Sequence, residues 1–121
     1  MGTTQPEGTA IHAGLEIVAF SDVHALRDWL SRAGPDHPGV WVRLRRTRSS
    51  VPSVTFHDLL EEGIAFGWSE STRHAGDDDS YLQRFGPRRR RGTASERNTR
   101  IADRLESEGR MTDAGRRALG R

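Results

Sequence analysis

The side chains with the most chemistry cluster in residues 67–91, GWSESTRHAGDDDSYLQRFGPRRRR. Glu70 is the first candidate for a general base and His74 the second; a positioned base typically adds about 10²–10⁴-fold to a rate. Arg73, Arg84, Arg88 and Arg89 offer guanidinium forks that match carboxylates and enolate oxygens. Tyr81 and Gln83 alternate with Leu82, so on a strand they share a face and can donate to a substrate backbone. Trp68 and Phe85 supply apolar walls. Asn98 lies further on, on the same helical face as Ala94, Ile101 and Leu105; if buried there, it must hold a backbone group or reach into a site. Plainer readings stand beside these. Glu70 could pair only with Arg73, worth about 0–1 kcal/mol if exposed, Tyr81 and Gln83 could be ordinary surface residues, and the arginine run could be a solvated face.

Several chemistries are excluded or weakly supported. The chain has no cysteine, which removes disulfides, thiolate nucleophiles and sulfur-ligated metals. It has no lysine either, so all 19 basic residues are arginine, and Schiff-base catalysis by an enzyme lysine is ruled out. A GC-rich genome explains that bias most simply. A chain with no thiol and no side-chain amine is also one that could handle an electrophile without being alkylated itself. The histidines at 12, 24, 37, 57 and 74 have no metal-ligand spacing such as H-E-x-x-H. Ser49, Ser50 and Ser53 lack a G-x-S-x-G setting, and there is no glycine-rich phosphate loop. The sequence therefore predicts no metal and no cofactor.

The elements that must position these groups can be read in order. Residues 1–14 read as a disordered tail and 15–121 as a single domain. Residues 15–20 (LEIVAF) form a short strand. Ser21 caps a helix in which Val23, Leu26, Trp29, Leu30 and Ala33 recur at helical spacing, and Gly34-Pro35 stops it. Residues 36–38 turn into a strand at 40–46, where Val40, Val42 and Leu44 alternate with Trp41, Arg43 and Arg45. Trp41, on the opposite face, is placed to meet a second layer or a partner chain. Thr55 caps a second helix with Asp58 completing a capping-box-like pair, and Phe56, Leu59, Leu60 and Ile64 form its apolar stripe. Gly63 inside it costs about 1 kcal/mol relative to alanine, which implies close packing against a strand. Strands at 68–74 and 80–85 flank the turn AGDDD. Thr93 or Ser95 caps a third helix that ends at Gly109, and Thr112 caps a last one running through Leu119. The order β-α-β-α-β-β-α-α predicts an α+β fold, a small mixed and mostly antiparallel sheet with helices on one side.

At 121 residues the chain has the length of one domain with a modest core. Only 33% of residues are apolar and 30% are charged, so a core shared in a homodimer is expected. No apolar run approaches the ~18 residues of a membrane span, and MGTTQPEGTA lacks the pattern of a secretion signal; the expected location is cytoplasmic. Charge is segregated: residues 84–100 hold seven arginines against the single acid Glu96. Such a patch suits phosphate, carboxylate or RNA. RNA is the weaker partner because the arginines are not interleaved with exposed aromatics.

The run GVWVRLRRTRSSVPSVTFHDLLEEGIAFGW, then DDDSYLQRFGPRR, then RNTRIADRLESEGRMTDAG, resembles the YdeI/OmpD-associated family, the "bacteriocin-protection" proteins. The likeness covers about residues 39–119, with a weaker match at 21–33. Where that family usually reads GWIDG this chain has GWSES, so Glu70 stands for an aspartate. Where it reads WSKxN this chain has GTASERN and keeps only Asn98. The resemblance implies peptides as partners, through resistance to cationic peptides and association with outer-membrane proteins. Small size, arginine bias and a peptide-linked family together suggest one specialised role, lysinoalanine formation in lanthipeptides of the cinnamycin and duramycin type.

That reaction adds a substrate lysine amine to dehydroalanine. The amine must lose a proton; with a reference pKa of about 10.4, only around one in a thousand is neutral near pH 7. The developing enolate needs donors, and holding the partners together can supply roughly 7–11 kcal/mol. Glu70, His74 or a carboxylate on the substrate could take the proton. The competing expectation is a non-catalytic module that binds a bacteriocin or other cationic peptide and gives immunity.

Overall fold

The computed structural model describes residues 10–89 and 94–121. Most of the stretch expected to be a tail, residues 1–9, falls outside the described residues, as does 90–93 with Arg90 and Arg91 of the basic block.

The chain enters the sheet earlier than the sequence suggested. Strand β1 (Ile11–His12) pairs antiparallel with β2 (Leu15–Val18). The two-residue link, Ala13 and Gly14, has φ of 47° and 83°. Positive φ at both positions matches the right-handed twist of a tight hairpin. Helix α1 (Val23–Arg32) follows, capped by Asp22 rather than Ser21: the Asp22 carboxylate accepts the Ala25 N–H at 2.9 Å. An N-cap oxygen must reach the free N–H groups two or three residues on, which puts Ser21 one residue too early.

Strand β3 (Val40–Arg45) runs parallel to β2. Helix α2 (Phe56–Phe66) begins with the expected capping box. The Asp58 N–H donates to Thr55 Oγ1 at 3.0 Å, and the Thr55 N–H donates to Asp58 Oδ2 at 2.9 Å. It ends at Gly67, whose φ of 83° suits a left-handed cap. The expected close packing of Gly63 is present. A Cβ there would stand 2.9 Å from the Trp68 carbonyl oxygen and 3.0 Å from the Phe85 ring, so α2 lies directly on the hairpin of β4 (Trp68–Ala75) and β5 (Ser80–Pro87). Helix α3 (Glu96–Ser107) is capped by Ser95. Helix α4 (Asp113–Ala118) is capped by Thr112, whose hydroxyl also donates to the Ala65 carbonyl at 2.6 Å.

The sheet order is β1-β2-β3-β5-β4, with β2/β3 the one parallel pair among the described residues. The fold is thus α+β with the anticipated order plus one early strand. Val18, Val40, Val42, Leu44, Trp68 and Phe85 form the sheet side of the main core and meet Leu26, Leu30 and Leu59 from the helices. Leu60, Ile64, Ala102, Leu105 and Met111 fasten α3 and the segment before α4 onto α2. Full burial of such side chains is worth about 1.5–3 kcal/mol each. The other sheet face carries a smaller cluster, Ile17, Trp41 and Leu82. Trp41 is buried there beneath His12, at 4.9 Å between ring centroids.

One irregularity decides where the hairpin side chains point. Cross-strand partners run Trp68↔Pro87, Ser69↔Gly86 and Glu70↔Phe85, then jump to Arg73↔Gln83 and His74↔Leu82. The extra residue on β4 is a β-bulge. Gln83 fills it: its Nε2 donates to the carbonyls of Ser71 at 3.0 Å and Thr72 at 3.1 Å.

Candidate functional site: an arginine cleft at the end of the hairpin

The bulge divides the predicted constellation between the two faces of the sheet. Directly opposed residues on antiparallel strands share a face. Trp68, Glu70, Arg73, Tyr81 and Gln83 therefore lie with Phe85 on the helix-bearing face, while His74 and Arg84 lie with Trp41 and Leu82 on the other. Gln83 and Tyr81 do share a face, as alternation required. Gln83, however, is 2% exposed and its amide serves the bulge, so it has no reach toward a substrate backbone. The Tyr81 ring packs between guanidiniums, with Arg73 at 4.4 Å and Arg46 at 5.4 Å.

The two base candidates are separated in the same way. Glu70 is turned toward α3, where Arg97 Nη2 stands 3.8 Å away. Arg97 also donates from Nε to Asn98 Oδ1 at 3.1 Å, so Asn98 belongs to this helix-side group. His74 stacks on His12 with centroids 4.2 Å apart on the opposite face. Glu70 and His74 thus do not converge on one reacting atom.

What does converge is arginine. A cavity of about 330 Å³ lies where β5 ends and β4 begins, lined by Arg84, Arg88, Arg89, Ser69 and Ser71. Pro38 closes one side of it. Around the same corner lies a second cavity of about 690 Å³ between the ends of α1 and α2 and the start of α4. Pro87, Arg88 and Arg89 line both. Among the described residues, Arg84, Arg88 and Arg89 make no ion pair. The Nε of Arg88 is buried with no hydrogen-bond partner among the described residues. A buried donor left unmade costs about 1–3 kcal/mol, more when charged, so an anion that accepted it would be favoured.

The Asp77–Asp79 run does not neutralise this cleft, because it forms the turn at the opposite end of the hairpin, where its acids are also committed. Asp77 Oδ1 accepts from the Asp79 N–H and the Ser80 hydroxyl, each at 2.9 Å. These bonds, the backbone one first, hold the Asp77 carboxyl below its ordinary pKa. Asp79 accepts from the Ser49 hydroxyl at 2.6 Å.

One residue adjoining the lining residue Pro38 was not singled out by sequence. His37, next to Pro38, sits edge-on to Trp29 at 5.2 Å and near Trp68 at 5.4 Å. Burial lowers its pKa, with Glu16 acting weakly the other way. Its Nδ1 accepts the Gly39 N–H at 2.9 Å, so the ring proton is on Nε2 and neutral His37 offers a donor.

The chain belongs to the family described as "Domain of unknown function (DUF8412)", whose model matches residues 18–118. The DUF8412 match runs from the last residue of β2 to the end of α4 and contains every cleft residue named above. No curated protein and no solved structure matches the chain. Among the described residues of this DUF8412 member, no helix is long and apolar enough to cross a membrane, and no group of three or more His, Cys, Asp or Glu could hold a metal ion.

Proposed function

We propose that this DUF8412 protein is a cytoplasmic, homodimeric peptide-binding protein akin to the YdeI/OmpD-associated group, and that its specific role is to close a lysinoalanine bridge in a lanthipeptide. The observation that carries the reading is the cleft: Arg84, Arg88 and Arg89 line one cavity without an acid partner among the described residues, and Arg88 Nε is buried without an acceptor among them.

The cleft binds a substrate carboxylate and brings guanidinium donors to the oxygen on which negative charge develops. The lysine nitrogen forms a bond to Cβ of dehydroalanine, and the C=C pair moves toward the carbonyl as an enolate. The proton lost by the nitrogen ends on Cα, so mass is unchanged and no cofactor is consumed. With Glu70 facing α3 and His74 stacked on His12, the proton is carried by a carboxylate of the substrate itself. The enzyme's share is orientation and charge stabilisation.

Incubating the protein with a dehydrated cinnamycin-type precursor tests this. The expected result is loss of thiol-reactive dehydroalanine at constant mass, abolished by replacing Arg84 and Arg88 together with alanine. Dehydroalanine that stays reactive at the rate of the protein-free control defeats the enzymatic reading. The second reading, an immunity module that only binds peptide, is favoured by the separation of Glu70 from Arg84 across the sheet; it predicts saturable binding with the peptide unaltered.

A further inference from the structure

The arginine cleft has a second half that the chemistry above does not use. The 690 Å³ cavity is walled by Leu30, Ala33, Phe66, Trp68, Ala114 and Ala118. Its volume falls in the roughly 300–1,000 Å³ range of small-ligand sites, which pair apolar walls with a few placed polar groups. The polar groups here are Ser31, Thr112, Asp113 and Arg117, with Arg88 and Arg89, and only these last two also line the smaller polar cavity. Two guanidiniums thus stand between an apolar chamber and a polar one, and the buried Nε of Arg88 lacks an acceptor among the described residues.

Resting on the peptide-binding reading, we infer that the double cavity recognises two adjacent side chains of one peptide: an acidic residue held by Arg84, Arg88 and Arg89, and a bulky apolar residue seated between α1, α2 and α4. The geometry disfavours simpler occupants. A small inorganic anion would satisfy the guanidiniums and leave the apolar walls of Phe66 and Trp68 uncovered. A purely apolar group would fill the chamber and leave Arg88 Nε without an acceptor. An apolar side chain next to a carboxylate satisfies both, and the shared Pro87–Arg88–Arg89 boundary requires the two groups to be close in the ligand. A peptide supplies that pair on neighbouring residues. β-Strand addition along the outer half of β4 is a poor alternative, since the bulge at Ser71 and Thr72 breaks the regular edge.

The test uses three synthetic nonapeptides of glycine and serine that differ at two central positions, reading Phe-Asp, Phe-Asn or Ala-Asp. Each is titrated into the full-length ¹⁵N-labelled protein by NMR. The Phe-Asp peptide should bind at least about tenfold more tightly than either of the others, as expected for removing one buried ring or one charge-assisted contact. It should shift the Trp68 indole N–H and the Arg88 Nε–H together. If Ala-Asp binds as tightly as Phe-Asp, the apolar half has no role and this inference falls while the carboxylate site stands. If Phe-Asn binds as tightly as Phe-Asp, or no peptide binds, the carboxylate reading falls with it. Displacement of the Phe-Asp peptide by an equal concentration of decanoate would assign the cleft to an acyl chain and overturn the peptide.

Discussion

Two groups of arginines on this molecule have opposite surroundings. On α2, Glu62 is 1% exposed and accepts from Arg27 and from Arg110, the latter at 2.7 Å. Its neighbour Glu61 accepts from Arg104 and, at 3.1 Å, from Arg110. Burial pushes the Glu61 carboxyl up, but these arginines outweigh it and hold its pKa below the ordinary value. For Arg110, burial opposes the charge, yet bonds to Glu62, Glu108 and Glu61 raise its pKa. In the cleft, Arg84, Arg88 and Arg89 have no such carboxylates among the described residues. Residue type alone therefore assigns no role. A guanidinium closed on both sides by carboxylates pins helices together, whereas one left open at a cavity is available to a ligand.

The strongest way to break this contrast is at Glu62. Replacing it with alanine takes the carboxylate from Arg27 and leaves Arg110 with Glu61 and Glu108; because both arginines are a third exposed, the cost is expected below the ~3–5 kcal/mol of a fully buried pair. Urea denaturation should register that loss, and an unchanged midpoint would place the network among ordinary surface pairs. A smaller effect is expected at Gly115. A Cβ there would fall 2.7 Å from the Ile64 carbonyl oxygen and closer still to that of Ala65. Overpacking of this kind costs about 1–3 kcal/mol, so Gly115→Ala should lower the melting temperature and pry α4 from the wall of the larger cavity.

At the cleft the expected change in stability is near zero. Arg84 is exposed and makes no ion pair among the described residues, so Arg84→Ala should move stability by no more than about 0.5 kcal/mol. A large loss would show that this arginine, too, is structural.

The subtlest test is pH. The folded pKa of His37 is lowered, so the unfolded chain binds more protons between that value and about 6.5. Its contribution to stability is complete above about pH 6.5 and is lost as pH falls toward the folded pKa. An NMR titration should find the His37 midpoint below that of free histidine, and a midpoint at or above it would contradict the burial described.

Much of this fold was legible in the sequence because its strongest signals are local. Thr55 and Asp58 mark a helix start by chemistry that needs no tertiary contact. Gly63 foretold the close approach of α2 to the sheet because its cost within a helix requires a reason. The site was less legible, and the bulge explains why. Glu70 and His74 are an even number of residues apart, so strict alternation would put them on one face; the inserted residue at Ser71 and Thr72 sends them to opposite faces. Nothing local announces that bulge, because its holder, Gln83, sits across the hairpin. The arginine block was visible as a charge run, but its pairing was not: the neighbouring Asp77–Asp79 run is close in sequence, yet the hairpin places it at the opposite end of the strands. The walls given by Leu30 and Ala118 come from helices far apart in the chain, and no spacing in the sequence links them.

The contrast between open and closed arginines can be measured in one experiment. Acetate is titrated into the ¹⁵N-labelled protein while the arginine Nε–H resonances are followed. Saturable shifts at Arg84, Arg88 and Arg89, with Arg104 and Arg110 unmoved, are the predicted result. Equal, unsaturable shifts at all five, or a stationary Arg88, would contradict it.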